Sequence, residues 1–152
     1  MASVRILFVL ALAALAQAQP GGRPFLNEIR IERYQPVKMR DGMTLYADLY
    51  RPAAEGRYPA LVVRTPYGVQ RDGVHPVMTR FAQNGYVVVM QDTRGRYESE
   101  GRWDPFRHEA EDGKDTVEWA ARQPWSNGKV GLQGGSYLGH VQWAAASQQP
   151  QG

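Results

Sequence analysis

The chain of 152 residues contains no cysteine, which rules out a disulfide framework and any thiolate metal site. Histidine is scarce: only His75, His108 and His140 are present. The acidic run "HEAEDGKD" therefore has no His/Cys complement for a transition metal, and its spacing is not that of a calcium-binding loop. A bias of negative charge toward a helix N-terminus accounts for it instead. There is no basic run either. The 18 Lys and Arg are scattered among 15 Asp and Glu, for a net charge of +3, which argues against a nucleic-acid partner. Neither a Walker-type nor a dinucleotide-binding loop occurs, and no cofactor is expected. The chain also lacks internal repeats, low-complexity tracts and any apolar run long enough to span a bilayer.

The longest apolar run, Ile6 to Ala16, stands in "MASVRILFVLALAALAQAQP" behind a single cation, Arg5, and ahead of the small-x-small pattern Ala16-Gln17-Ala18. This reads as a secretory signal peptide over residues 1–18, cut after Ala18, with residues 19–152 as the exported part. The expected location is secreted or periplasmic. An exported chain without cysteine leans toward a bacterial envelope.

After the lead-in "QPGGRPF", the segment "EIRIERYQPVKM" alternates and predicts a first strand. Asp41-Gly42 signals a hairpin turn into "TLYADLYRP". There Leu45, Ala47 and Leu49 share one face and Tyr46, Asp48 and Tyr50 the other, the pattern of a half-buried antiparallel strand. The continuous apolar runs in "YPALVVRTPYG" and "YVVVMQD", and the shorter "KVGLQG", predict strands buried on both faces. Between and after them, "PVMTRFAQNGY", "EAEDGKDTVEWAARQ" and "SYLGHVQWAAASQQ" predict helices. Val77, Phe81 and Ala82 form the inner face of the first, and Val117, Ala120 and Ala121 that of the second. The order is an antiparallel pair followed by strand–helix repeats. It implies an α/β fold with a mostly parallel sheet and helices on both faces. Functional residues in such sheets gather at the carboxyl ends of strands, here Thr65–Val69, Asp92–Gly101 and Gly134–Tyr137. In the second of these loops Asp92 and Arg94 are expected to pair. The four tryptophans are expected in core or helix-to-sheet packing.

"GLQGGSYLGH" places Ser136 where a strand turns into a helix. Two readings fit: a nucleophile on a sharp elbow, or a helix-capping serine in a Gly-rich turn. The generic G-x-S-x-G pattern is half met. Gly134 stands two before the serine, but Leu138 occupies plus two and Gly139 plus three. A nucleophile would take an oxyanion donor from the backbone N–H of Tyr137, and Tyr67 in "TPYG" could point its hydroxyl to the same place. It would also need a base. His140 lies four residues on along the same helix and points away, while His75 and His108 read as surface residues. Only sixteen residues follow Ser136, and none is acidic, so the order Ser, acid, His cannot be completed within them.

Together "MRDGMTLYADLYRP", "RTPYG", "YVVVMQDTRGRYESEG", "DTVEWAARQPWSNGKVG" and "GGSYLG" resemble the cocaine-esterase/X-prolyl dipeptidyl-peptidase group of serine hydrolases, the CocE/NonD type. The resemblance runs from about Val37 to Ala146, and the late glycine of "GSYLG" is the group's own pattern. It implies an α/β-hydrolase fold and a Ser-Asp-His triad. Ser136 would be the nucleophile, Tyr137 the backbone oxyanion donor and Tyr67 the hydroxyl donor. The implied partner is a small-molecule ester or peptide: an aryl ester, an α-amino-acid ester or an X-Pro peptide. Members of the group also carry a helical cap and a jelly-roll domain and are several times longer. Residues 19–152 are therefore expected to be the N-terminal part of a catalytic domain, inactive alone. The alternative is a non-catalytic secreted binding fragment.

Overall fold

The computed structural model describes residues 27–69 and 75–152. The proposed signal peptide lies outside the described residues. Five strands, β1 (Ile29–Lys38), β2 (Thr44–Pro52), β3 (Tyr58–Thr65), β4 (Val87–Asp92) and β5 (Ser126–Leu132), form one sheet in the order β1-β2-β4-β3-β5. β1 pairs antiparallel with β2, and β2 antiparallel with β4. β3 runs parallel to both β4 and β5. Three helices, α1 (Pro76–Gln83), α2 (Glu109–Ala121) and α3 (Tyr137–Ser147), alternate with the later strands. Among the described residues no helix is long and apolar enough to cross a membrane.

The period-two geometry of strands sorts the core into two layers. One face of the sheet packs Val37, Leu45, Ala47, Leu49, Ala60, Val62, Val87 and Val89 against Ala120 of α2 and Trp125. The other packs Tyr50, Val63, Val88 and Met90 against Met78 and Ala82 of α1. The expected parallel core with helices on both faces is present. α3 packs against α2, tightly at Gly113, where an added Cβ would sit 2.6 Å from the Cβ of Ala145. A glycine in a helix interior costs stability, and here it is what allows α3 to close on α2.

Two faces differ from the sequence pattern. β2 is not half-exposed: Asp48 and Tyr50 are both buried. β2 lies inside the sheet between β1 and β4, so α1 covers Tyr50, while Arg33 pairs with the Asp48 carboxylate and the N–H of Tyr34 donates to it. α1 is also rotated relative to the expectation. Val77 is 48% exposed, while Met78 and Ala82 point inward. Phe81 is half-buried and meets the ring of Tyr86 edge-on. In α2, Val117 and Ala120 are buried as expected, and Ala121 only partly.

The rotation of α1 has a direct check in urea unfolding. Met78→Ala removes a buried side chain and should cost about 2–5 kcal/mol. Val77→Ala should change stability by no more than about 0.5 kcal/mol.

Candidate active site at the carboxyl ends of the strands

β5 ends at Leu132 and α3 begins at Tyr137, so the chain reverses within four residues. Ser136 sits at that reversal with φ 55° and ψ −127°, in backbone space that a non-glycine residue rarely occupies. Its side chain makes no capping bond to the helix, and the residue is exposed. Of the two sequence readings, the capping serine is therefore not the geometry found. Gly134 has φ 143°, and a Cβ there would lie 2.4 Å from the Cβ of Leu138. The leucine at plus two thus packs directly onto the glycine at minus two. Gly139 is not similarly constrained, since its nearest neighbour would be the carbonyl oxygen of Gly134 at 3.6 Å. Gln142, one turn into α3, donates to the Gly134 carbonyl at 2.6 Å and ties the turn to its helix.

All three loops singled out in the sequence meet here. The Tyr67 N–H donates to Thr65 Oγ1 at 3.1 Å, and the ring of Tyr67, 47% exposed, stands edge-on to that of Tyr137 at 6.4 Å. The loop after β4 clamps the loop after β3. Arg96 Nε donates to the Pro66 carbonyl at 2.9 Å, and Tyr97 Oη to the Tyr67 carbonyl at 2.8 Å. The Arg96 guanidinium lies 5.3 Å from the ring centre of Tyr97 and 5.4 Å from that of Trp103, within cation–π range of both. At the other end of the clamp, the Val69 N–H donates to Asp92 Oδ1 at 3.0 Å. Burial pushes the Asp92 carboxyl up from 3.8 to about 7; the Val69 bond opposes this, and the nearby Asp48 and Glu98 add to it.

Around Tyr137 the rings of Phe106 and Trp103 gather at 4.8 and 5.9 Å. His140 stands edge-on to Phe106 at 4.7 Å and lies 6.3 Å from the ring of Tyr137. Trp119 and Trp125 pack together in the core layer, but Trp103 belongs to the site and Trp143 is 78% exposed, so the tryptophan expectation holds for two of four. His75 is only partly exposed, with a buried Nδ1, rather than a surface histidine.

Beneath the elbow lies a buried polar cluster that the sequence pattern did not reveal. Arg64, inside β3, directs Nη1 to Glu109 Oε2 at 2.8 Å and to the Glu109 carbonyl at 3.1 Å. Its Nε donates to Gln91 Oε1 at 2.8 Å, which also accepts from Thr116 Oγ1 at 2.9 Å. The second oxygen of Glu109 accepts a hydrogen bond from Tyr137 Oη at 2.8 Å. Burial and the Glu109 carboxylate together raise the Tyr137 hydroxyl well above its usual pKa. Arg94 does not pair with Asp92. It reaches Asp112 at 2.6 and 3.0 Å and Asp41 at 2.7 Å, and these bonds hold its own pKa high. The expected acidic bias is present in the first turn of α2, in Glu109, Glu111 and Asp112, but only Glu111 is exposed; Glu109 and Asp112 are buried partners of two arginines. The one sequence signal was a charged residue interrupting the apolar run "ALVVRT".

Residues 41–152 match the family model described as X-Pro dipeptidyl-peptidase (S15 family). Cocaine esterase of Rhodococcus sp. (strain MB1 Bresler) is 46% identical over 116 residues, which cover 72% of this chain and 20% of that protein. The chain spans about a fifth of the length of the curated relatives it matches. A CocE/NonD family hydrolase from Staphylococcus aureus superposes with a TM-score of 0.76 at 34% identity, covering 82% of this chain and 26% of that one. An α-amino acid ester hydrolase superposes at 0.70 with 28% identity, covering 91% and 26%. The fold is that of the N-terminal portion of an α/β hydrolase.

Two substitutions test this geometry. Gly134→Ala should destabilise the protein by about 1–3 kcal/mol, through the clash with Leu138 and the strained backbone. Gly139→Ala should be neutral or stabilising by up to about 1 kcal/mol, since alanine is the better helix former. Asp92 sets a pH dependence. Between about 4 and 7 the folded state holds a proton that the unfolded chain releases, so stability falls as pH rises through that window and levels off above it. Asp92→Asn should remove that slope, and its urea midpoint should gain on the parent's between pH 5 and pH 8.

Proposed function

This chain belongs to the X-Pro dipeptidyl-peptidase (S15) family of hydrolases, and on that footing we propose that it carries the nucleophile and oxyanion site of an exported serine hydrolase acting on small esters or peptides through an acyl-enzyme. The observation that carries the reading is the strained, exposed backbone of Ser136, held by Gly134 and Leu138 where β5 turns into α3.

In this mechanism Ser136 Oγ attacks the acyl carbonyl. The negative charge that develops on its oxygen is met by the backbone N–H of Tyr137, at the first turn of α3, and by the hydroxyl of Tyr67. The helix N-terminus adds a favourable partial charge. Collapse of the tetrahedral adduct breaks the bond to the alcohol or amine, which leaves with a proton from the general acid. The acyl group stays on Ser136 until water removes it. The serine proton needs a base. It is a histidine held by a carboxylate, and both come from parts of the enzyme outside these residues. The aromatic rim of Tyr67, Tyr97 and Phe106, all exposed, gives the acyl or leaving group an apolar surface to rest on. Aryl esters, α-amino-acid esters and X-Pro peptides all fit this chemistry, with export directed by residues 1–18.

The complete enzyme should hydrolyse a p-nitrophenyl ester and be labelled by a fluorophosphonate. Ser136→Ala should abolish labelling and lower turnover by about 10⁴–10⁶-fold. Residues 19–152 alone should show no turnover. An unlabelled enzyme, or a Ser136→Ala variant of undiminished turnover, would contradict the assignment and favour a binding role.

A further inference from the structure

We propose that Glu109 is a positioning residue for the oxyanion site, acting through the side chain of Tyr137 and anchored in turn by Arg64. The inference rests on Ser136 being the nucleophile and goes beyond it, because Glu109 meets Tyr137 at its hydroxyl rather than at the donating backbone N–H, and Arg64 reaches Tyr137 only through Glu109.

Tyr137 has two connections to the site. Its backbone N–H belongs to the first turn of α3, immediately after the strained Ser136. Its hydroxyl is bound at the far end: it donates to Glu109 Oε1 at 2.8 Å and accepts from the Phe106 N–H at 3.3 Å. Glu109 is 3% exposed and cannot swing away, because its other oxygen lies 2.8 Å from Arg64 Nη1 and its carbonyl accepts from the same nitrogen. Arg64 is held by Gln91 through Nε and by the walls of β3, where it is also 3% exposed. One carboxylate therefore bridges the sheet interior and the residue that follows the nucleophile. A buried ion pair contributes little net stability compared with apolar residues of similar volume, so cohesion alone does not explain its presence. Fixing direction does. A peptide in a sparsely populated conformation relaxes unless its neighbours over-determine it, and the Glu109–Tyr137 bond adds a constraint to that of Gly134 and Leu138. The ring of Tyr137 also meets those of Phe106, at 4.8 Å, and Tyr67, at 6.4 Å, so its anchoring bears on the residue that carries the second donor.

The decisive variant is Tyr137→Phe in the complete enzyme, which keeps the ring and the buried ion pair and removes only the hydroxyl. With a p-nitrophenyl ester, kcat should fall by about ten- to a hundredfold, as expected when reacting groups are misplaced by a fraction of an ångström, while KM stays within about twofold. The affinity of phenylboronic acid, whose serine adduct occupies the oxyanion site, should fall by the same factor as kcat, and the melting transition should stay cooperative. A second construction reaches the same link from its other end. Replacing both partners, Arg64→Met with Glu109→Leu, removes the anchor without leaving a buried charge unpaired, since Asp112 keeps Arg94, and should lower kcat by the same factor. Adding Tyr137→Phe to that pair should cost nothing further. Unchanged kcat and boronate affinity in either variant overturn the proposal. So does a rise in KM alone, which would make the hydroxyl a substrate contact, and so does a full second loss when the changes are combined. Ser136→Ala in parallel separates the two questions. If it leaves turnover intact, the nucleophile assignment has failed; if it abolishes turnover while Tyr137→Phe is silent, only the positioning role has.

Discussion

Arg64 occupies a place where the sheet would otherwise be apolar, in a strand whose neighbouring residues Val62 and Val63 are 1% exposed. A guanidinium cannot lose its charge at any ordinary pH, so a buried one has to be matched by carboxylates and carbonyls around it. That requirement reaches across the molecule. It draws the first turn of α2 onto the end of β3 through Glu109, and it brings Asp112 within 3.7 Å, where Arg94 also binds. It orients Gln91 in β4, which in turn takes the hydroxyl of Thr116. The placement of α2 determines where α3 can lie, because the two helices meet at Gly113 and Ala145. The elbow is the first turn of α3. The site thus inherits its position from a charge in the sheet.

What the sequence discloses and what it conceals divide along range. The strands are legible because alternation and continuous valine runs are local patterns, and the hairpin because Asp41-Gly42 is a local turn signal. The elbow is legible for the same reason: Gly134, Ser136 and Tyr137 lie within four positions. The exposure of β2 is not legible locally because the partner of Asp48 is Arg33, on a neighbouring strand, and the cover of Tyr50 is α1, beyond β3 in the chain. Arg94 was assigned the wrong acid because Asp92 is near in sequence, whereas Asp112 and Asp41 are near only in the fold. Glu109 read as one of several acids at a helix start. Nothing local marks it as the partner of an arginine 45 residues earlier.

Asp92 and Ser136 show two kinds of cost at one site. The serine carries backbone strain and the aspartate carries burial, and in both cases neighbours hold the unfavourable state in place. Gly134 and Leu138 lock the first, and the Val69 N–H and the walls around β4 hold the second. Such costs recur where a surface must keep one shape while ligands come and go, and here both fall at the carboxyl ends of adjacent or near-adjacent strands.

The Arg96 clamp has a consequence for how members of this family can diverge. Loops at strand ends are usually thought of as interchangeable parts, each free to vary over a constant scaffold. Here the loop after β4 grips the backbone of the loop after β3 at Pro66 and Tyr67, and its own arginine is held between Tyr97 and Trp103. Because the grip is on carbonyl oxygens, the gripped loop can change its side chains without losing it. The gripping loop has no such freedom. Recombination that exchanged one without the other would leave carbonyls unmet or aromatic rings unpaired, so the two loops form a single heritable module, with variation directed to the first.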